Sequence, residues 1–189
     1  MDGNNEQYNV KFERFEPQKS YDWHNFDCGH EPFNEFLTNG GINSELERRI
    51  TIPHLLLTNR DGETPKVIGY FTLASSSLEK RFYPISNNQK KKLPYKTVPT
   101  IIIGKLAVCK SVQGQGIGKR ILAHALRTAY LQSRDVACLA LYLNALSGKE
   151  EFYKKCGWIE VKDDPSGFIY PLKQYEDALK EKISKIKAS

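Results

Sequence analysis

Residues 100–132 constrain the fold more than any other stretch, because three kinds of sequence follow one another there without interruption. Thr100 to Cys109 (T-I-I-I-G-K-L-A-V-C) is β-branched and apolar enough for a buried central strand. Ile117, Ile121, Leu122, Ala125, Leu126 and Ala129 then recur at helical spacing. Between them lies Gln113-Gly114-Gln115-Gly116-Ile117-Gly118-Lys119. Three glycines in five residues let backbone N–H groups approach a ligand closely, and a helix N-terminus adds about half a positive charge. The combination is a phosphate-binding turn. A P-loop needs G-x-x-x-x-G-K-[ST], and Gln113 and Arg120 break that pattern; a dinucleotide fingerprint needs G-x-G-x-x-G, and the spacing here is two and two.

The flanking elements complete an α+β or mixed α/β domain, a central mixed sheet flanked by helices. Val10 to Phe15 suits a first strand, and Pro32, Phe33, Phe36 and Leu37 suit a helix broken at Gly40-Gly41. Ile42, Leu46 and Arg49 continue as a second short helix. Ile52 to Thr58 and Val67 to Leu73 read as a hairpin around the turn Asn59-Arg60-Asp61-Gly62. Val136 to Leu143 reads as another buried strand, and Lys149 to Cys156 as a helix. Ser147-Gly148-Lys149-Glu150 fits a capping box for that helix, and Gly157 its stop. Trp158 to Val161 and Gly167 to Tyr170 make a terminal hairpin. Leu172, Tyr175, Leu179, Ile183 and Ile186 mark an added C-terminal helix. With no repeat or long linker, residues 1–189 read as one domain, with a core of about 10–171 and the final helix over 172–189.

The formal charge of +6 has an address. Glu79 to Lys105 holds seven cations (Lys80, Arg81, Lys90, Lys91, Lys92, Lys96, Lys105) and one anion, and the rest of the chain is neutral. So concentrated a positive field attracts polyanions, although a solvated loop tip gives the same sequence. The segment, with Pro84, Pro94 and Pro99, reads as a long loop or broken helix. The longest near-continuous apolar run is eight residues, against the about 20 a membrane span needs. The polar N-terminus lacks a secretion signal, and the four cysteines have no C-x-x-C spacing. Reduced thiols in the cytoplasm are therefore expected, with no metal site. His24, His30, His54 and His124 show no triad or ligand spacing.

These motifs carry a family resemblance. L-A-V-x5-Q-G-Q-G-I-G-K (Leu106 to Lys119) resembles the acetyl-CoA-binding motif of the GCN5-related N-acetyltransferases, or GNAT family. Y-L-N-A (Tyr142 to Ala145) and E-F-Y-K-K-C-G-W (Glu151 to Trp158) resemble later family signatures in the same order. The F-D-C-G…F-N-E-F-L segment (Phe26 to Leu37) and V-I-G-Y-F-T-L-A (Val67 to Ala74) are similar to the acetyltransferase toxins of bacterial type II toxin–antitoxin modules. Two departures stand out: Lys105 where Arg is commoner, and Glu45 to Ile52 in place of an S-R-T type of stretch.

The resemblance implies a GNAT fold with a V-shaped splay between two central parallel strands, and acetyl-CoA as co-substrate. It gives the pyrophosphate to Gln113, Gly114, Gln115, Gly116, Ile117, Gly118 and Lys119, mainly through backbone N–H groups. It gives the pantetheine arm to Leu106, Ala107 and Val108. Tyr153 is the candidate acid: a phenol of pKa ~10 stays protonated at neutral pH and can serve a leaving thiolate near ~8.5. Asn144 either hydrogen-bonds pantetheine or caps the following turn. Glu79, Glu150 and Glu151 are equally open as general base or as surface residues. An α-amine of pKa ~8 needs little more than water as base. Aminoacyl-tRNA, the substrate class of the toxins, fits that chemistry, with Lys80, Arg81, Lys90, Lys91, Lys92 and Lys96 as its backbone contacts. The resemblance further implies a ribbon–helix–helix antitoxin and a possible homodimer. A small-amine or protein acetyltransferase and an acyl-CoA-sensing module without turnover are the competing functions.

Overall fold

The computed structural model describes residues 9–59, 63–162 and 164–187. Its seven strands are β1 (Asn9–Arg14), β2 (Ile52–Asn59), β3 (Lys66–Glu79), β4 (Thr97–Val108), β5 (Ala140–Asn144), β6 (Ile159–Val161) and β7 (Asp164–Pro171). They form one mixed sheet in the order β1-β2-β3-β4-β5-β7-β6. The helices are α1 (Glu31–Thr38), α2 (Gly41–Glu47), α3 (Asn87–Lys92), α4 (Ile117–Gln132), α5 (Glu150–Lys155) and α6 (Leu172–Lys187). Contacts gather the described residues into two compact units, one within Met1–Leu73 and Lys105–Leu122, the other within Ala74–Gly104 and Ala123–Ser189.

In the first unit β1, β2 and the start of β3 are antiparallel, with Phe12 opposite Leu56 and Leu55 opposite Tyr70. Phe15, Phe26, Phe36, Leu37, Leu55 and Tyr70 are among its buried core. Tyr70 is fully buried, and its hydroxyl donates to the Phe33 carbonyl at 2.8 Å. Gly69 marks a close approach: a Cβ there would sit 2.8 Å from Ile121 Cδ1 and 3.0 Å from the Ala107 carbonyl oxygen. Helix α1 begins with Pro32 in its first turn, and Gly40, at φ 76°, separates it from α2 as its sequence foretells. Helix α2 stops before Arg49, which takes φ 56°; the Ile50 and Arg49 N–H groups bond the Glu45 and Leu46 carbonyls in a Schellman closure.

In the second unit β4 and β5 pair in parallel from Thr100↔Ala140 to Ile103↔Leu143, and β4 continues to Val108. Strand β7 runs antiparallel to both β5 and β6. Two expectations need correction. The strand read over Val136 to Leu143 starts only at Ala140, and Val136 is 74% exposed. Leu139 N still donates to the Pro99 carbonyl at 2.9 Å, but Pro99 has no N–H to return, so the parallel ladder starts only at Thr100. The basic segment is no long loop: β3 runs on to Glu79 with alternating burial, and α3 follows. The turn Arg60-Asp61-Gly62 lies outside the described residues. Helix α6 forms as expected, buried at Leu172 and exposed at Ile183 and Ile186.

Candidate functional site

The glycine loop belongs to the first unit. A 3-10 turn at Lys110–Val112 follows β4, and α4 begins at Ile117. Gly114 and Gly116 take φ 77° and 79°, a region L side chains disfavour, and nothing lies within 4 Å of where a Cβ would stand. The loop is therefore open to a ligand, and the first N–H groups of the helix that follows have no partner within the helix. Its base is braced. Gln113 Nε2 donates to the Val108 carbonyl at 2.8 Å and to the Cys28 carbonyl at 3.1 Å. The side chain of Gln113 thus holds protein carbonyls, leaving only its backbone for an anion.

The early F-D-C-G segment supplies the other half of that brace. Lys110 N donates to the Asp27 carbonyl at 2.7 Å, and Lys110 Nζ meets Asp27 Oδ2 at 2.8 Å. That ammonium and the Gly29 N–H hold the Asp27 carboxyl below its ordinary range. Asn34 Oδ1 accepts from Cys28 N at 2.9 Å, and Asn34 Nδ2 donates to Asp27 Oδ1 at 3.2 Å. Sequence reading found this segment only as a likeness. Its work is to fix the junction between β4 and the loop.

On β4, Ala107 is buried in the core while Leu106 and Val108 are half-exposed on the other face. Lys105 is withdrawn from the basic segment: its Nζ pairs with Glu45 Oε1 at 2.6 Å and lies 4.4 Å from the centre of the Phe36 ring. Thr51 Oγ1 donates to the other Glu45 oxygen at 2.8 Å. The two departures from the toxin pattern, Lys105 and the Glu45 to Ile52 stretch, are thus one interlocked arrangement.

Tyr153, Asn144 and the remaining cations lie in the second unit. Tyr153 is 8% exposed, against Trp158 (centroids 6.2 Å), Phe168 (5.6 Å) and Phe152 (5.1 Å). Burial pushes its phenol up to about 12. Of the adjacent pair it is Phe152 that turns outward, yet among the described residues the Tyr153 hydroxyl has no hydrogen-bond partner. The buried Trp158 Nε1 beside it also has none. The capping box expected at Ser147 does not form. Gly148 takes φ 80°, the helix starts two residues later behind Lys149, and no side chain caps it. Asn144 is exposed at the end of β5, its Oδ1 2.6 Å from the Tyr142 hydroxyl.

The box forms instead on α3, where Ser86 Oγ accepts from Gln89 N and Gln89 Oε1 accepts from Ser86 N. That helix presents Lys90, Lys91 and Lys92 in its last turn. Lys90 Nζ donates to the Arg81 carbonyl at 2.6 Å, Lys80 Nζ to the Leu93 carbonyl at 3.3 Å, and Arg81 pairs with Glu79. Lys91, Lys92 and Lys96 are exposed and have no carboxylate partner among the described residues. Beneath them Phe82, Ile85 and Leu93 pack on the cluster of Tyr83, Val98, Ala140, Val161 and Ile169. The cations therefore stand on a docked surface. Among the described residues no His, Cys, Asp and Glu group could hold a metal, and no helix is long and apolar enough to cross a membrane.

Comparison with known proteins matches this geometry. A tRNA-acetylating toxin of Mycobacterium tuberculosis (strain ATCC 25618 / H37Rv) is 30% identical over 90 residues, 48% of this chain and 51% of that protein. The chain thus matches about half the length of that curated relative. A crystal structure of a tyrosine-to-phenylalanine mutant of KacT superposes with a TM-score of 0.83 at 33% identity, covering 89% of this chain and 98% of that one. AtaT complexed with acetyl-methionyl-tRNAfMet superposes at 0.82 with 32% identity, covering 90% and 99%. The acetyltransferase (GNAT) domain model matches residues 64–160, more than half of the chain, from the start of β3 through the glycine loop and Tyr153 to β6: the protein belongs to the GNAT acetyltransferase family.

Proposed function

We propose that this protein is an acetyl-CoA-dependent N-acetyltransferase toxin of the cytoplasm that acetylates the α-amino group of aminoacyl-tRNA and so blocks translation. The observation that carries the reading is the docked basic surface around α3, on a chain 32% identical to an AtaT solved with acetyl-methionyl-tRNAfMet. A small-amine acetyltransferase has no use for exposed lysines at Lys91, Lys92 and Lys96. In this reading residues 1–189 work as one catalytic domain. The backbone of Gln113 to Lys119 wraps the pyrophosphate, and Leu106, Ala107 and Val108 pair with the pantetheine arm. The backbone amide near Val108 polarises the thioester carbonyl. Water takes the proton of the attacking α-amine, and Tyr153 turns its protonated hydroxyl on the departing thiolate as a strong hydrogen-bond donor. Lys80, Arg81, Lys90, Lys91, Lys92 and Lys96 hold the tRNA backbone.

AtaT has been solved bound to the C-terminus of the antitoxin AtaR, and KacTA in complex with DNA. A cognate antitoxin accordingly belongs to the reading, and the family resemblance adds its ribbon–helix–helix fold and a possible homodimer. Labelled acetyl-CoA incubated with the protein and total aminoacyl-tRNA should label the RNA. Label found only on protein or free amines overturns the proposal.

The loop offers a separate check. Gly116→Val meets no steric obstacle but forces a β-branched residue to φ 79°, at a cost of roughly 1–2 kcal/mol in that conformation. The loop escapes the strain by turning its N–H groups away from the anion. Acetyl-CoA affinity measured by calorimetry should fall about tenfold or more. Wild-type affinity would remove the loop from its role.

A further inference from the structure

At the end of β5 three polar side chains meet with too few protons among them. The Tyr142 hydroxyl lies 2.6 Å from Asn144 Oδ1 and 3.1 Å from Asp164 Oδ2. Asp164 Oδ1 is already saturated by Ser166 N (3.2 Å), Ser166 Oγ (2.8 Å) and Gly167 N (3.1 Å). The turn is built round this carboxylate, since a Cβ on Gly167 would stand 2.5 Å from Asp164 Oδ2. One oxygen of Asp164 is thereby spent on the turn and the other is aimed at Tyr142. A phenol has a single proton and cannot satisfy both neighbours. Turning the Asn144 amide over lets Nδ2 donate to Tyr142 and Tyr142 donate to Asp164, but then Asn144 Oδ1 points outward. The first arrangement leaves an oxygen of the half-buried Asp164 without a proton, and the second leaves the Asn144 oxygen at the exposed end of β5.

The charge is fixed as well. Burial acts to raise the Asp164 carboxyl, but hydrogen bonds from Ser166, Tyr142 and Gly167 outweigh it and hold the group below its ordinary range. Burial and the nearby carboxylate push the Tyr142 phenol up to about 12, so it keeps its proton. The cluster is anionic and rich in acceptors. It repels a phosphate or carboxylate and suits a group with several N–H donors and a positive charge.

Its position selects among such groups. Tyr142 packs on the same hydrophobic cluster as Phe82, Ile85 and Leu93, beneath the basic segment. Tyr153 contacts Phe168, the cross-strand partner of Leu143, while Tyr142 is opposite Ile169. Successive strand residues face opposite ways, so Tyr142 and Tyr153 flank β5 on opposite faces. The attacking nitrogen and the leaving sulfur share one carbon, and the β4–β5 ladder ends at Ile103↔Leu143, one residue before Asn144, so a carbon placed beyond that end is within reach of both faces. We infer that Asp164, Tyr142 and Asn144 form the subsite for the α-ammonium of the acceptor, while the lysines of α3 take the phosphates of the same molecule. The inference rests on the proposed aminoacyl-tRNA reading and assigns Asn144 to the acceptor side.

The test compares Asp164→Asn and Tyr142→Phe with the wild type in steady-state transfer from acetyl-CoA to aminoacyl-tRNA. Asp164→Asn keeps the Oδ1 that caps the turn and replaces the second oxygen by a donor. A charge-assisted hydrogen bond is worth about ten- to a hundredfold, so KM for aminoacyl-tRNA should rise at least about tenfold, with KM for acetyl-CoA changed less than about twofold. Tyr142→Phe should raise the same KM several-fold. The carboxylate also stabilises the bound ammonium against deprotonation, so its loss should move the acidic limb of the kcat profile to lower pH. A KM for aminoacyl-tRNA that stays at the wild-type value in both variants overturns the inference, as does an equal rise in KM for acetyl-CoA. Tyr142→Phe leaves the Asp164 turn intact and decides by the same ratio if Asp164→Asn does not fold. A wild type that transfers no acetyl to RNA would instead overturn the proposed function, so the two failures are distinguishable.

Discussion

Tyr153→Phe is expected to slow acetyl transfer by about two to three orders of magnitude while acetyl-CoA affinity changes less than about threefold. The substitution removes one oxygen and leaves the ring against Trp158, Phe168 and Phe152. No hydrogen bond among the described residues is lost with it, so the unfolding temperature should stay within a few degrees of the wild type. Burial, which pushes the phenol up to about 12, has two consequences for its role as an acid. The hydroxyl is protonated across the range where the α-amine titrates, so the basic limb of the rate profile does not report Tyr153. A proton passing to a free thiolate of pKa ~8.5 would also run uphill. In the proposed reaction a thiolate leaving beside this hydroxyl would be desolvated too, which would raise its basicity. A strong hydrogen bond in the transition state, without full transfer, then suffices to stabilise departure. Single-turnover kinetics with calorimetric binding separates the two effects. Turnover within about fivefold of the wild type would remove Tyr153 from the chemistry.

The strand–loop–helix unit was legible because each part writes its own period: β-branched residues in β4, glycines at the turn, a 3.6-residue repeat in α4. Errors arose where a partner distant in sequence decides the outcome. Apolarity alone runs from Val136 to Leu143, but the strand begins where Thr100 can pair with Ala140. Ser75, Ser76 and Ser77 look like loop residues, yet they continue β3 with alternating exposure. Counting charge placed Lys105 in the basic segment, and nothing local revealed Glu45, 60 residues earlier, as its partner. The acceptor cluster was illegible for the same reason: Tyr142 and Asp164 are separated by 22 residues and meet through the β5–β7 pairing. Asn144 alone carried a signal, and it was ambiguous.

Neutralising Lys90, Lys91 and Lys92 together to glutamine should weaken aminoacyl-tRNA binding about ten- to a hundredfold near physiological salt and leave acetyl-CoA affinity nearly unchanged. The helix itself should survive, because its start is held by Ser86 and Gln89, neither of which is altered. The lysines are not equivalent. Lys91 and Lys92 point to solvent, whereas Lys90 Nζ also donates to the Arg81 carbonyl at 2.6 Å and so helps to dock the helix. Each lysine that neutralises a phosphate contributes about 0.7–0.9 to the slope of log affinity against log salt. Lys91→Gln with Lys92→Gln should therefore reduce that slope by about 1.5, and the third substitution should add less slope than loss of affinity. The CoA phosphates are assigned to the glycine loop, so binding of acetyl-CoA should keep both its strength and its own salt dependence. An unchanged slope for RNA would show that the cations face solvent only. A parallel loss of acetyl-CoA affinity would show that one anion site serves both ligands and would overturn this assignment.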